Sequence, residues 1–238
     1  MGVRKLLEVE KLCVRYGKIA AVNGVSFSLN EGELLAIVGA NGAGKTSVLN
    51  AIMGLVKVHS GRIVFDGVDI THLEPWKRAR MGIVIVPEGA RPFADMSVME
   101  NLEVAAMNID KAEMKRKMEW VFELFPRLAE RKKQPAKTLS GGEKQMLAIA
   151  RALVGPVKLL IMDEVSLGLM PRLVTEMFKV IERLKREKLT MLLAEQNTKK
   201  ALQVADKVCV MQNGSIVLEG KPQDLLDSEE IKRAYLGV

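Results

Sequence analysis

Two stretches of the chain gather residues whose types and spacing suit work on phosphate. "GANGAGKT", Gly39 to Thr46, matches G-x-x-x-x-G-K-[ST]; a buried-strand run ("GELLAIVG") precedes it and a helical run ("KTSVLNAIMG") follows. Glycines in such a loop let backbone N–H groups wrap a phosphate chain, and the N-terminus of the next helix adds positive potential. Lys45 is expected to reach the β- and γ-phosphates of a nucleotide, and Thr46 to place its hydroxyl on Mg2+. Gly39, Asn41, Gly42, Ala43, Gly44, Lys45, Thr46 and Ser47 make up the expected nucleotide-binding set of this loop. Further along, "LLIMDE" reads as a buried strand that delivers two carboxylates to one edge. Asp163 is expected to hold Mg2+ through water, and Glu164 to orient or deprotonate an attacking water. Alone, this run reads as well as an ordinary strand ending in a polar loop. The phosphate loop upstream is what favours the chemistry.

The elements that must position these residues follow a β/α rhythm. "LLEVEKLCV" and "AAVNGVSFSLN" alternate like strands, "GRIVFDGVDI" is a strand leading into an Asp66-Gly67 turn, and "MGIVIVPEG" is a short buried strand stopped by Pro87. From about Ser97 to Leu153 the period is helical: "SVMENLEVAAM", "DKAEMKRKMEWVFELF" and "GGEKQMLAIARALV". Then come a strand ("VKLLIMDE"), a helix opened by Pro171, a strand ("LTMLLAEQ"), a helix near Thr198–Ala205, and a hairpin around Asn213-Gly214. The expected organisation is one α/β domain over residues 1–238. Its nucleotide-binding core spans about 1–87 and 156–238, and a helical insertion spans 88–155.

Composition sets the outer limits. The chain has 238 residues, 48% hydrophobic and 27% charged, which fits a soluble globular protein. No apolar run reaches the length of a membrane span, and the start is too broken by charge for a signal peptide. Cys13 and Cys209 read as two buried thiols, and two histidines are too few for a His/Cys metal cluster. His59 and His72 read as exposed turn residues. The net charge of +7 is compatible with nucleic acid, an anionic membrane surface or a solvated surface. Its spread along helices in alternation with acids favours the last.

Between the two phosphate motifs, "LSGGEKQ", Leu139 to Gln145, opens a helix. With this stretch in place the chain resembles the ATP-binding cassette (ABC) family, whose signature is close to LSGGQ, over essentially its whole length. The resemblance implies a P-loop ATPase core with an N-terminal antiparallel β-subdomain and a helical insertion. It implies that Ser140, Gly141, Gly142 and Glu143 form a second anion site at a helix N-terminus, facing the γ-phosphate bound by another cassette. It also implies that Tyr16 stacks on adenine, and that Glu88, in "VPEG", senses Mg2+ and the membrane partner.

Three positions depart from the broad family: Glu88 for Gln, Met170 for Asp after "SLGL", and Gln196 for the His that touches the γ-phosphate. Together with "VPEGARPFADMSVMENL", "SLGLMP" and "AEQN" they resemble the ATP-binding subunits of branched-chain amino acid importers. A glutamine amide can donate to a phosphate oxygen and accept from water, without the charge of a protonated histidine. Gln196 therefore joins Glu164 as an expected catalytic residue.

The implied partners are transmembrane permease subunits, a second cassette (identical or different) and, indirectly, a periplasmic or extracellular substrate-binding protein, with no nucleic acid. The implied location is the cytoplasmic face of the cell membrane. Arg91, Phe93 and Met96 are expected permease contacts. The competing readings are a nucleic-acid-associated cassette and a regulatory module that binds ATP without hydrolysing it.

Overall fold

The computed structural model describes residues 4–226; residues 1–3 and 227–238 of the expected domain lie outside the described residues. Two long strands, β1 (Lys5–Tyr16) and β2 (Ile19–Asn30), form a hairpin, and β3 (Leu34–Val38) leads into α1 (Lys45–Met53). After α1 come β4 (Val58–Phe65), the two-residue β5 (Val68–Asp69), α2 (Pro75–Arg80) and β6 (Ile83–Val86). The chain is then helical: α3 (Val98–Ala105), α4 (Lys111–Leu124), α5 (Pro126–Glu130) and α6 (Gly141–Val154). The β/α alternation returns with β7 (Leu159–Asp163), α7 (Pro171–Arg186), β8 (Thr190–Glu195) and α8 (Thr198–Val204). It closes with β9 (Lys207–Gln212), β10 (Ser215–Gly220) and α9 (Pro222–Leu226).

The strands make two sheets. One is antiparallel in the order β2-β1-β4-β5; the other runs β10-β9-β3-β8-β7-β6 and is parallel apart from β10. Every residue of β3, β7 and β8 is buried, as a parallel sheet covered on both faces requires. The period of two sorts their side chains cleanly. Leu34, Ala36, Leu160, Met162, Met191 and Leu193 face the layer of α6, α7 and α8. Leu35, Ile37, Leu159, Ile161, Leu192 and Ala194 face α1 and the antiparallel sheet.

Helix ends follow local chemistry. Ser97 caps α3 and Ser140 caps α6 in capping boxes closed by Glu100 and Glu143, Asp110 caps α4, and Pro171 opens α7. His72 lies in a turn and is exposed; His59 is exposed but sits within β4, because β4 starts before the run that its sequence period suggests. Cys209 is buried, and burial pushes its thiol up to about 12. Cys13 is only half-buried, since the bulges of β1 turn it away from the core, and its Sγ accepts the Gly24 N–H.

Helix α2, with no counterpart in the sequence reading, carries the largest fully buried side chain. Arg78 donates from Nη1 to Ala51 O (2.7 Å) and Ile52 O (2.8 Å), from Nε to Leu73 O (2.8 Å) and from Nη2 to Thr71 O (3.1 Å). A guanidinium stays charged even though burial lowers its pKa, so a cation sits at the negative C-terminal end of α1. Arg78→Met leaves those four carbonyls without this donor. The expected cost is on the order of 3 kcal/mol, read as a fall in the urea midpoint.

Candidate nucleotide site

The phosphate loop begins where β3 ends, and two neighbours hold its backbone. The Gly214 N–H in the β9–β10 turn donates to Ala43 O (3.0 Å), and the Asn23 N–H of β2 donates to Gly214 O (2.7 Å). Two glycines are demanded by this clamp. A Cβ on Gly39 would run into Met211 O, and one on Gly44 would lie 2.5 Å from Ala21 O and 2.8 Å from the Met211 Cε, with Gly44 at φ 105°. Gly44 is also the residue from which α1 starts. A cavity of about 310 Å³ lies between Gly39–Ala43 and Val210–Asn213. Ser47 is half-buried in the first turn of α1.

Lys45 is nearly fully buried. Its ammonium donates to Gly39 O (2.8 Å) and Ala40 O (3.1 Å) and lies 3.0 Å from Glu164 Oε1. Thr46 Oγ1 donates to Asp163 Oδ1 at 3.2 Å. Burial pushes the Asp163 carboxyl up, the Thr46 hydrogen bond pulls it part of the way back, and the charges of Glu164 and then Glu88 raise it again. The structure thus brings Lys45, Thr46, Asp163 and Glu164 together, with Glu88 exposed close by.

Gln196 is exposed beside Glu164, in a cavity of about 330 Å³ also lined by Ser166, Leu167, Gly168, Glu195 and Asn197. Neither His59 nor His72 lines it. Glu164 has φ 46°, a left-handed backbone that costs a glutamate roughly 1 kcal/mol or more. Met170 is exposed at the start of α7. Tyr16 is about half exposed at the tip of the β1–β2 hairpin.

The "LSGGEKQ" stretch divides its labour. Gly141 opens onto free space at the N-terminus of α6, and Ser140 is exposed beside it. Gly142 is a packing residue: a Cβ there would come within 2.5 Å of Leu173 Cδ1 on α7. Glu143 turns inward, accepting the Ser140 N–H at 2.9 Å and pairing with Arg131 at 3.0 Å. Burial raises its carboxyl, but the Ser140 hydrogen bonds and the charges of Arg131 and Arg127 outweigh that and leave it below the usual range. Its geometry is that of a helix cap, and a direct contact with nucleotide draws no support from it.

Between β6 and the helices runs a groove of about 230 Å³ lined by Pro87, Ala90, Arg91, Ala105 and Arg151 among others. Arg151 donates to Arg91 O (3.0 Å) and stacks over Phe93, while Asn101 accepts the Phe93 N–H at 2.8 Å. Arg91, Phe93 and Met96 stay exposed on this loop. Sequence reasoning missed Arg151, Asn101, Arg131 and Glu195: Arg151 and Glu195 act across 60 and 29 residues, and the polar groups that Asn101 and Arg131 meet are set by loop and helix geometry rather than by a motif.

A phosphate loop after one parallel strand, facing paired carboxylates from a strand of the same sheet, defines the nucleotide-hydrolysing class of P-loop proteins. The family model "ABC transporter" matches residues 22–166, and the chain belongs to that family. It is similar to the high-affinity branched-chain amino acid transport ATP-binding protein BraG of Pseudomonas aeruginosa, with 43% identity over 98% of this chain and 100% of the relative. It is 36% identical to the probable branched-chain amino acid transport ATP-binding protein LivF of Archaeoglobus fulgidus, over 98% and 99% of the two chains. Among solved structures it matches an ATP-binding cassette of an ABC transporter in its ADP conformation, with TM-score 0.85, 31% identity and coverage of 98% and 99%. The chain is therefore an ATP-binding subunit of an ABC transporter and an ABC-type ATPase. No helix among the described residues is long and apolar enough to cross a membrane.

Gly44→Ala tests the clamp on the phosphate loop. The added methyl and the left-handed backbone together are expected to weaken ATP binding about tenfold or more. Calorimetry checks this, and an unchanged Kd would show that the loop tolerates another path.

Proposed function

We propose that this chain powers a branched-chain amino acid importer by hydrolysing ATP between two cassettes, with Glu164 activating water and Gln196 contacting the γ-phosphate. One observation carries the hydrolytic reading: the Lys45 ammonium lies 3.0 Å from Glu164 Oε1, so the phosphate-binding cation and the candidate base share one point. A γ-phosphate at Lys45 then stands beside the carboxylate that orients its attacker, the arrangement in-line phosphoryl transfer needs. The Thr46 hydroxyl and the Asp163 carboxylate are hard oxygen donors side by side, a set that suits Mg2+, which takes one or two carboxylates and completes its shell with phosphate and water. They would hold that ion, with Glu88 nearby, and it would neutralise charge on the β- and γ-phosphates.

The exposed N-terminus of α6 at Ser140 and Gly141 supports a second anion site for ATP bound by a facing cassette, of the same or a different chain. Half-exposed Tyr16 supports an aromatic seat for adenine. The groove under Arg91 and Phe93 supports docking of a permease helix, with exposed apolar groups beside an arginine. Work is then delivered at the cytoplasmic face of the membrane, and a substrate-binding protein acts only through the permease. The branched-chain amino acid transport roles of the BraG and LivF relatives support the cargo.

Glu164→Gln is expected to lower kcat by roughly 100-fold or more with ATP affinity kept within a few-fold; undiminished turnover would refute the assignment. Lys45→Ala is expected to weaken ATP binding about tenfold or more, measured by calorimetry. Crosslinking of the assembled transporter is expected to join residues 88–100 to the permease, and a map without such links would refute the docking groove.

A further inference from the structure

We infer that Glu195 is a positioning residue for hydrolysis: by holding Ser166 it ties the loop that follows Glu164 to the strand end that carries Gln196. The inference rests on Glu164 being the residue that activates water.

Glu195 is the last residue of β8 and only 2% exposed. Its Oε1 accepts the Ser166 N–H at 3.1 Å and its Oε2 accepts the Ser166 hydroxyl at 2.8 Å. The backbone N–H of Asn197, one residue beyond Gln196, also favours the ionised form of its carboxylate. One residue earlier on the strand, Ala194 O accepts the Glu164 N–H at 2.9 Å. The loop is therefore stapled to β8 at Glu164 and at Ser166, with buried Val165 between the two staples.

This double attachment has a mechanical use. Glu164 sits at φ 46°, a conformation a non-glycine residue keeps only when its surroundings impose it. Released from Glu195, the loop can relax toward a right-handed backbone. That swings the Glu164 carboxylate away from Lys45 while leaving the phosphate loop untouched. An acid buried this far is costly, and burial does push the Glu195 carboxyl up. An apolar side chain would fill the same space without that penalty, so the acid serves the bonds it makes.

The test is ATP turnover by the assembled transporter together with ATP affinity, for Glu195→Ala, Glu195→Gln, Ser166→Ala and the Glu195→Ala/Ser166→Ala double variant. Glu195→Ala is expected to lower kcat roughly 10- to 100-fold with Kd for ATP within about twofold. The double variant should be no worse than Glu195→Ala alone, because one contact is removed twice. Glu195→Gln should recover much of the turnover, since its carbonyl can accept the Ser166 N–H and the hydroxyl can turn to accept from the amide. Should Glu195→Ala not fold, Ser166→Ala carries the test, with an expected threefold to tenfold loss in kcat, about, and unchanged Kd. A wild-type kcat in the single variants overturns the inference, as does a loss that appears equally in affinity. If Glu164→Gln is inactive while Glu195→Ala is fully active, only the positioning role fails. If Glu164→Gln is active, the assignment of the base fails, and the positioning role with it.

Discussion

Val38 pairs with Glu195, and Ala194 pairs with Asp163, so β3, β8 and β7 end within one residue of each other at the same edge of the sheet. The arrangement depends on this register. The phosphate loop leaves from the first strand, the two carboxylates from the third, and Gln196 from the strand between them. A slip of one residue would turn each strand's side chains to the opposite face and bury the wrong set. The alternating apolar side chains that prevent the slip also pack α1 on one face and α6, α7 and α8 on the other. Core packing and the alignment of the candidate site groups are thus one constraint seen from two sides.

Around that edge several buried charges have a partner of opposite sign. Lys45 answers Glu164, Thr46 and Lys45 temper the burial of Asp163, and Arg131 answers Glu143. At the far end of α1, Arg78 is matched by carbonyls rather than by a carboxylate. The short helix behind the phosphate loop is therefore fixed at both ends. Backbone contacts from β2 and the β9–β10 turn hold the loop at its start, and a buried cation holds its finish.

What was legible in the sequence was what is local in the chain. The G-x-x-x-x-G-K-T loop, the apolar run ending in Asp163 and Glu164, and the helix that opens at "LSGGEKQ" each depend on a few adjacent residues, so a single stretch of letters carries them. The buried strands were readable for the same reason, as unbroken apolar runs of the length a covered parallel sheet needs. The features that were not legible join distant segments. Arg78 bonds to carbonyls across 26 and 27 residues, Glu195 to Ser166 across 29, and Arg151 to Arg91 across 60. Cys13 shows the limit of alternation, because bulges in β1 break the period and turn its thiol outward. Glu143 shows what local spacing and long-range pairing each contribute: its carboxylate accepts the Ser140 N–H three residues back and pairs with Arg131 on another segment.

The left-handed backbone of Glu164 also bears on how this protein can be engineered. Asparagine and glycine occupy that conformation at much lower cost than glutamate. A stability-driven redesign, or a library ranked only by thermal tolerance, will therefore drift toward replacing the carboxylate proposed to activate water, and will score the loss as an improvement. Any such campaign must hold position 164 constant and look for its gains in segments remote from the edge of the sheet.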